Sequence, residues 1–181
     1  AVTGICGLTG VGNGSVGAAL RRRCPEVWVS VSATTRPPRP GEVDGVAYVF
    51  VSDEEFDALA ERGELLEWAQ VHGHDRYGTP RRPVETALAH GRPVILEIDV
   101  QGAAQVKQTL PSARFVFLKP PRWEELQRRL VGRGTEDAAQ QARRLQTARD
   151  ELAEAAWFDD VIVNDRVGDT VEDLVCLLGL C

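Results

Sequence analysis

At 181 residues the chain is long enough for one compact domain with a substantial core, and 43% hydrophobic against 27% charged residues is an ordinary globular balance. No apolar run approaches the roughly 18 residues of a membrane span, no secretory leader pattern is visible, and a formal charge of −6 argues against a surface that coats nucleic acid. The four cysteines (Cys6, Cys24, Cys176, Cys181) form no C-x-x-C pair and have only three histidines beside them, so reduced thiols and a cytoplasmic setting are expected, not a disulfide framework or a zinc site.

The chain opens on a short apolar strand at residues 2–6, a glycine-rich loop Gly7-Leu8-Thr9-Gly10-Val11-Gly12-Asn13-Gly14-Ser15, and a helix over residues 15–22. Strand, glycine loop and helix N-terminus make a phosphate cradle, in which inward-turned N–H groups and the positive helix end attract an anion. The pattern G-x-x-x-x-G-K-[ST] asks for lysine at 13 and a hydroxyl at 14. This chain has Asn13 and Gly14, with the hydroxyl one place later at Ser15. Gly10, Gly12, Asn13, Gly14 and Ser15 are therefore the expected donor-phosphate loop, with a neutral amide where the cation should stand.

Further short apolar runs at residues 28–31, 94–98, 114–118 and 160–163 have the length and flanks of buried parallel strands. Helical spacing links Trp123, Leu126, Gln127 and Leu130 after Pro120-Pro121, and later Leu145, Ala148 and Leu152; a last helix is expected over residues 170–178. The alternation predicts an α/β fold, a doubly wound parallel sheet of the P-loop NTPase-like kind. Residues 34–90 interrupt it: a proline-rich stretch, a strand at 47–51, a capping box Ser52-x-x-Glu55 starting a helix with Phe56 and Leu59, a strand at 65–71 and a turn at Tyr77-Gly78. They read as a small mixed lobe inserted in the core. A polar, glycine-flanked, arginine-bearing segment at 132–144 reads as a lid, leaving 1–33, 91–131 and 145–181 as the core of one domain.

Five runs occur in one order: Ser30-Val31-Ser32-Ala33-Thr34-Thr35-Arg36 with Arg39-Pro40-Gly41-Glu42; Leu66-Glu67-Trp68; Tyr77-Gly78-Thr79; Glu97-Ile98-Asp99-Val100-Gln101-Gly102; and Gly132-Arg133-Gly134-Thr135-Glu136. Together they resemble the guanylate kinases, over nearly the whole chain. The resemblance implies a core, a GMP-binding lobe (34–90) and a lid closing over ATP. It assigns base reading to Glu67, Ser32 and Thr79, which suits guanine, whose N1–H and 2-amino donors flank the O6 acceptor. It assigns the monophosphate to Arg36, Arg39, Tyr48 and Tyr77, with Glu42 orienting the arginines. Glu97 and Asp99, at the carboxyl end of a buried strand, are implied to act near GMP. Mg²⁺ would lie near Ser15 and Asp99, with no direct protein ligand assigned. Arg129, Arg133 and Arg144 match arginines that clamp the transferring phosphate, with Asp99 beside them as the catalytic set, and Asn164 matches a position on the adenosine side.

The chain departs from the family at Asn13 and Gly14, at Leu8 and Thr9 (usually Pro-Ser), and at residues 72–76, one residue longer than the common form. Three readings follow from the residues. The first is a guanylate kinase homologue with weak ATP-dependent phosphoryl transfer to GMP. The second is a repurposed enzyme acting on GMP or a related phosphorylated metabolite without ATP. The third is a non-catalytic module that senses GMP or binds phosphopeptides. Small nucleotides are the expected partners in the first two, with neither nucleic acid nor membrane; oligomeric state is open.

Overall fold

The structure is a computed structural model and describes residues 2–7, 13–71, 74–122, 124, 128 and 138–181, with residues 13–15 described by backbone alone. Five parallel strands form the main sheet in the order β2-β7-β1-β8-β9: β1 (Val2–Gly7), β2 (Trp28–Val29), β7 (Val94–Glu97), β8 (Arg114–Lys119) and β9 (Asp160–Val163). Side chains of β1, β7 and β8 alternate between two covered faces, as a buried parallel sheet requires, whereas β9, expected to be buried, is the edge strand and leaves Val161 and Val163 exposed. Ile5, Ile95, Val116 and Leu118 pack with Val16 and Leu20 of α1 (Asn13–Arg23) and with Val171 and Leu174 of the last helix, Val167–Leu178. Cys6, Val94, Leu96, Phe115 and Phe117 face the other way. They pack against Ala103 and Val106 of α4 (Val100–Thr109), Val84 and Ala87 of α3 (Arg81–Ala89), and Ala148 of α5 (Ala138–Glu154). Helices on both faces give the doubly wound layering expected.

A second sheet, in the order β4-β3-β6-β5, is mixed: β3 (Ala33–Thr34), β4 (Val49–Phe50), β5 (Leu65–Val71) and β6 (Asp75–Pro80). Its core is Ala33, Phe56 and Leu65, with Phe56 carried by α2 (Asp53–Glu61). The expected capping box is present: the Glu55 N–H donates to Ser52 Oγ at 3.1 Å and the Ser52 N–H to Glu55 Oε1 at 3.3 Å.

Several local expectations need correction. Tyr77 and Gly78 do not turn; they sit inside β6, paired with Thr34 and Ala33 on one side and Ala69 and Trp68 on the other. The glycine is there for a close approach, since a Cβ on Gly78 would stand 2.9 Å from Trp68 Cβ. The strands expected at 28–31 and 47–51 keep only two ladder residues each. α1 begins two residues early at Asn13, and the last helix begins three residues early at Val167. α3, which follows β6 and was not anticipated, runs nine residues. Residues 138–144 of the expected lid are the first turns of the continuous helix α5; residues 132–137, and the helix read through Trp123, Leu126, Gln127 and Leu130, lie outside the described residues. The expectation of wholly reduced thiols is also overturned: Cys24, just past α1, is bonded to Cys181, 157 residues away, while Cys6 and Cys176 are free. The last helix packs on α1, so the two cysteines meet where those helices end together. Among the described residues no helix is long and apolar enough to cross a membrane.

Candidate nucleotide site

The registers decide which residues meet. In the main sheet Ile5 is level with Glu97, where β7 ends, and with Val116, and Gly7, where β1 ends, is level with Leu118 near the end of β8. The glycine loop leaves β1 at this edge, Glu97 ends β7, Asp99 caps α4, and Asn164 follows β9. This is the carboxyl edge where open α/β sheets place ligands. Residues 8–12, including Gly10 and Gly12, lie outside the described residues; Asn13, Gly14 and Ser15 form the first turn of α1.

Glu97 is the most constrained residue at this edge. Its N–H donates to Ser30 Oγ at 3.0 Å, and its side chain runs under α1, where a Cβ on Gly17 would collide with Oε1. That oxygen is buried and has no hydrogen-bond partner among the described residues. Burial pushes the carboxyl up to about 7, against the opposing charge of Arg21 and a Gly17 N–H. Asp99 is also raised by burial, opposed by the Gly102 N–H that donates to Oδ1 at 2.8 Å. The Oδ1 bond is an N-cap, so Asp99 starts α4 while standing at the sheet edge.

The second sheet supplies two clusters on one face. Thr79 and Tyr77 are two residues apart on β6, so their side chains share a face about 7 Å apart along the strand. Glu67 lies directly across from Thr79, whose hydroxyl donates to Glu67 Oε1 at 2.6 Å. Glu67 is only 5% exposed, and burial raises it to about 7; the Thr79 hydroxyl pulls the other way and the charge of Asp99 adds to the rise. Its second oxygen packs on α4, where only a glycine fits: a Cβ on Gly102 would overlap Glu67 Oε2.

The other cluster is built on Arg36, itself buried at 8% exposure. Its guanidinium forks onto Glu42 with both bonds at 2.9 Å, donates to the Tyr77 hydroxyl at 3.2 Å, and lies 5.2 Å from the Tyr48 ring centre. Tyr48 and Tyr77 meet edge to face at 5.7 Å. The Arg36 hydrogen bonds hold Glu42 down at about 2, helped by the Arg39 N–H at 2.7 Å, and Glu42 in turn raises Arg36. Burial raises the Tyr48 phenol. Arg39 leaves this network outward, exposed. Ser32 is half-buried at the start of β3, its carbonyl accepting the Val49 N–H at 2.9 Å.

The remaining candidates are placed less completely. Asn164 is buried at 7% exposure; its Oδ1 accepts the Thr170 hydroxyl at 2.8 Å and its N–H donates to the Lys119 carbonyl at 2.8 Å. Arg144 is half-buried in the second turn of α5. Arg129 and Arg133 lie outside the described residues. Sequence reasoning missed Gly17 and Gly102, without which Glu97 and Glu67 could not seat. A glycine inside a helix is destabilising by roughly 0.5–1 kcal/mol relative to alanine, so each was a signal of close approach.

A parallel sheet with its ligand edge at a glycine-rich loop that opens α1 defines a P-loop NTPase-like nucleotide-binding protein. Residues 4–179 match the family model for guanylate kinase. The chain is 58% identical over 174 residues to a guanylate kinase of Leifsonia xyli, covering 96% of this chain and 68% of that one. It is 56% identical over 178 residues to one of Thermobifida fusca, covering 98% and 90%. The crystal structure of a guanylate kinase from Anaplasma phagocytophilum superposes with a TM-score of 0.82 at 31% identity, covering 98% of this chain and 84% of that one. A shikimate kinase from Bacteroides thetaiotaomicron, at 18% identity and a TM-score of 0.51, shares the fold alone. The chain belongs to the guanylate kinase family.

Proposed function

We propose that this protein binds GMP in the second-sheet lobe and transfers a phosphoryl group to it from ATP, slowly, because Asn13 stands where the phosphate-loop lysine is expected. The observation that carries the GMP reading is the buried Glu67–Thr79 pair lying on one strand face with the Arg36–Glu42–Tyr77 cluster. A carboxylate and a hydroxyl answer the donor-and-acceptor edge of guanine, and a cationic, phenol-lined patch one strand repeat away answers a phosphate. Ser32 completes the base pocket. Glu42 holds Arg36 in place, while Arg39, exposed, supplies a mobile fork toward the phosphate.

In the reaction a phosphate oxygen of GMP forms a bond to the γ-phosphorus of ATP, and the bond from that phosphorus to the bridging oxygen of ADP breaks in line. Asp99 and Glu97 offer hard carboxylate oxygens, one of them unpartnered, of the kind that receives Mg²⁺ through its waters. When bound, Mg²⁺ would neutralise charge on the donor phosphates. The chain's own part is to fix both phosphates: the glycine loop and α1 N-terminus on the donor side, Arg36, Arg39, Tyr48 and Tyr77 on the acceptor side, and Arg129, Arg133 and Arg144 on the group in transfer. Asn164 lies on the adenosine side.

The slow rate rests on Asn13 alone. Losing one preorganised contact to transition-state charge lowers turnover by about 10²–10³. Calorimetric titration with GMP, AMP and Mg-ATP separately, followed by a GDP-formation assay, tests the whole. GMP binding without detectable Mg-ATP binding or GDP formation would transfer support to chemistry on GMP that needs no phosphoryl donor. Equal affinity for GMP and AMP would remove the base-reading role of Glu67.

A further inference from the structure

β5 is an edge strand: its neighbour β6 covers one side, and on the other its outward backbone groups face α4. At Trp68 both outward groups are taken by one side chain. The Trp68 N–H donates to Gln105 Oε1 at 3.1 Å, and Gln105 Nε2 donates to the Trp68 carbonyl at 2.6 Å. A primary amide carries the same donor–acceptor pair as a peptide group, so Gln105 continues the sheet for one residue where the next strand would stand. Neither a carboxylate, which lacks the donor, nor a lysine, which lacks the acceptor, could close both bonds.

The position of this clasp matters more than its strength. Gln105 is three residues after Gly102 on α4, hence on the same helix face one turn along. Gly102 is where the Glu67 carboxylate rests, and Trp68 is the next residue after Glu67. The backbone of 67–68 is thus held from β6 through strand pairing and from α4 through Gln105, while the Glu67 side chain lies between the Thr79 hydroxyl and Gly102. α4 begins at Asp99, so one helix relates the depth of the base-reading carboxylate to the carboxylate at the sheet edge.

We propose that Gln105 is a positioning residue for guanine selection: by clasping the Trp68 backbone to α4 it sets how far Glu67 projects toward the base. The inference rests on the guanine-reading role proposed above for Glu67. Gln105 does not touch the nucleotide; it acts through the strand. Losing it lets β5 drift from α4, and the contact most sensitive to such drift is the one Glu67 makes with the 2-amino group.

The test compares Gln105→Met, which keeps the side-chain length and removes both hydrogen bonds, with Gln105→Ala and with Glu67→Gln as control. Calorimetry with GMP and with IMP, which lacks the 2-amino group, gives two dissociation constants per variant. Hydrogen exchange reads the Trp68 amide directly. Both Gln105 variants should exchange that amide faster and weaken GMP about 5- to 20-fold, the range expected for one or two lost hydrogen bonds. IMP should weaken less, so the GMP:IMP preference falls. Parent values for GMP affinity and preference in a folded Gln105→Met would overturn the proposal, as would equal weakening of GMP and IMP, which marks a stability role only. If Glu67→Gln also leaves the preference intact, the fault lies in the role of Glu67; if Glu67→Gln abolishes it while Gln105→Met does not, only the clasp is wrong.

Discussion

Replacing Glu67 by glutamine should make the nucleotide-free protein more stable at pH 8 and a worse GMP binder. Burial raises the Glu67 carboxyl from 4.5 to about 7. An acid whose folded pKa lies above its unfolded value contributes stability below the unfolded value and loses it as pH rises through the folded one. The parent therefore gives up ~3 kcal/mol between about pH 4.5 and pH 8 through this group, at 1.36 kcal/mol per unit. Glutamine is neutral throughout and still accepts the Thr79 hydroxyl, but its amide N–H₂ must be seated beside Gly102 and Asp99 in place of a carboxyl oxygen, so the net gain at pH 8 should be about 1–2 kcal/mol. For a chain of this length that raises Tm by roughly 2–8 °C. Thermal unfolding of both proteins without nucleotide, at intervals from pH 5 to pH 8, should show the curves crossing near pH 6. Glu97, raised to a similar value, titrates in both proteins and largely cancels from the difference. GMP affinity at pH 8 should fall by about 1–3 kcal/mol, because an amide cannot accept both guanine donors. A variant less stable than the parent at every pH would refute the argument: Glu67 would then be a structural hydrogen-bond acceptor, not a carboxylate held at a cost for its ligand.

Asn13→Lys should raise GDP formation by about 10² or more with GMP affinity nearly unchanged, since it restores a cation on the donor phosphates; a variant that binds GMP but still makes no GDP shows that more than the lysine is missing. Arg39→Ala should weaken GMP about 5- to 10-fold and leave guanosine unaltered, since Arg39 bonds Glu42 through its backbone, which survives the change, while the exposed guanidinium is left to act through the phosphate; parallel losses would place it elsewhere. Unfolded without reductant, the protein should show two titratable thiols, Cys6 and Cys176. Reduction of the Cys24–Cys181 bond should lower Tm by roughly 10 °C, because a loop of 157 residues is freed in the unfolded chain, worth up to about 5 kcal/mol; four thiols before reduction would contradict the bond.

Elements whose signal is local were readable in the chain. β1, β7, β8 and β9 are short apolar runs buried on both faces or at the sheet end, and the Ser52–Glu55 cap announces α2 by itself. Arg36, Arg39 and Glu42 meet because six residues of turn bring them together, so their grouping too was visible. What was not visible depends on distant partners. Tyr77-Gly78 reads as a turn until β3 and β5 are seen to flank it. Pro83 sits in the first turn of α3, where its missing N–H has no helical partner to lose, so that helix forms around a residue that usually interrupts one. The disulfide joins residues whose spacing carries no pattern, and Gln105 is an ordinary surface glutamine until Trp68 arrives opposite it.

The two ends of the site follow different electrostatic logic, and this decides where the change at Asn13 is felt. At the monophosphate end Arg36 and Glu42 are each other's counterpart: Arg36 holds Glu42 down, and that pair is complete without ligand. Three carboxyls are raised by burial, Glu97 and Asp99 half-buried at the sheet edge and Glu67 buried on the second sheet, with the charge of Asp99 pushing Glu67 further and that of Arg21 opposing the rise at Glu97. Carboxyls raised in this way favour whatever brings cations, which is the work of a metal-bound donor and, in the full phosphate loop, of a lysine. Asparagine at 13 brings no such charge, and the Arg36 network does not depend on it. On the proposed function, recognition of GMP and acceptance of the donor are then separable: the first would rest on the second sheet, and the second on the charge missing at Asn13.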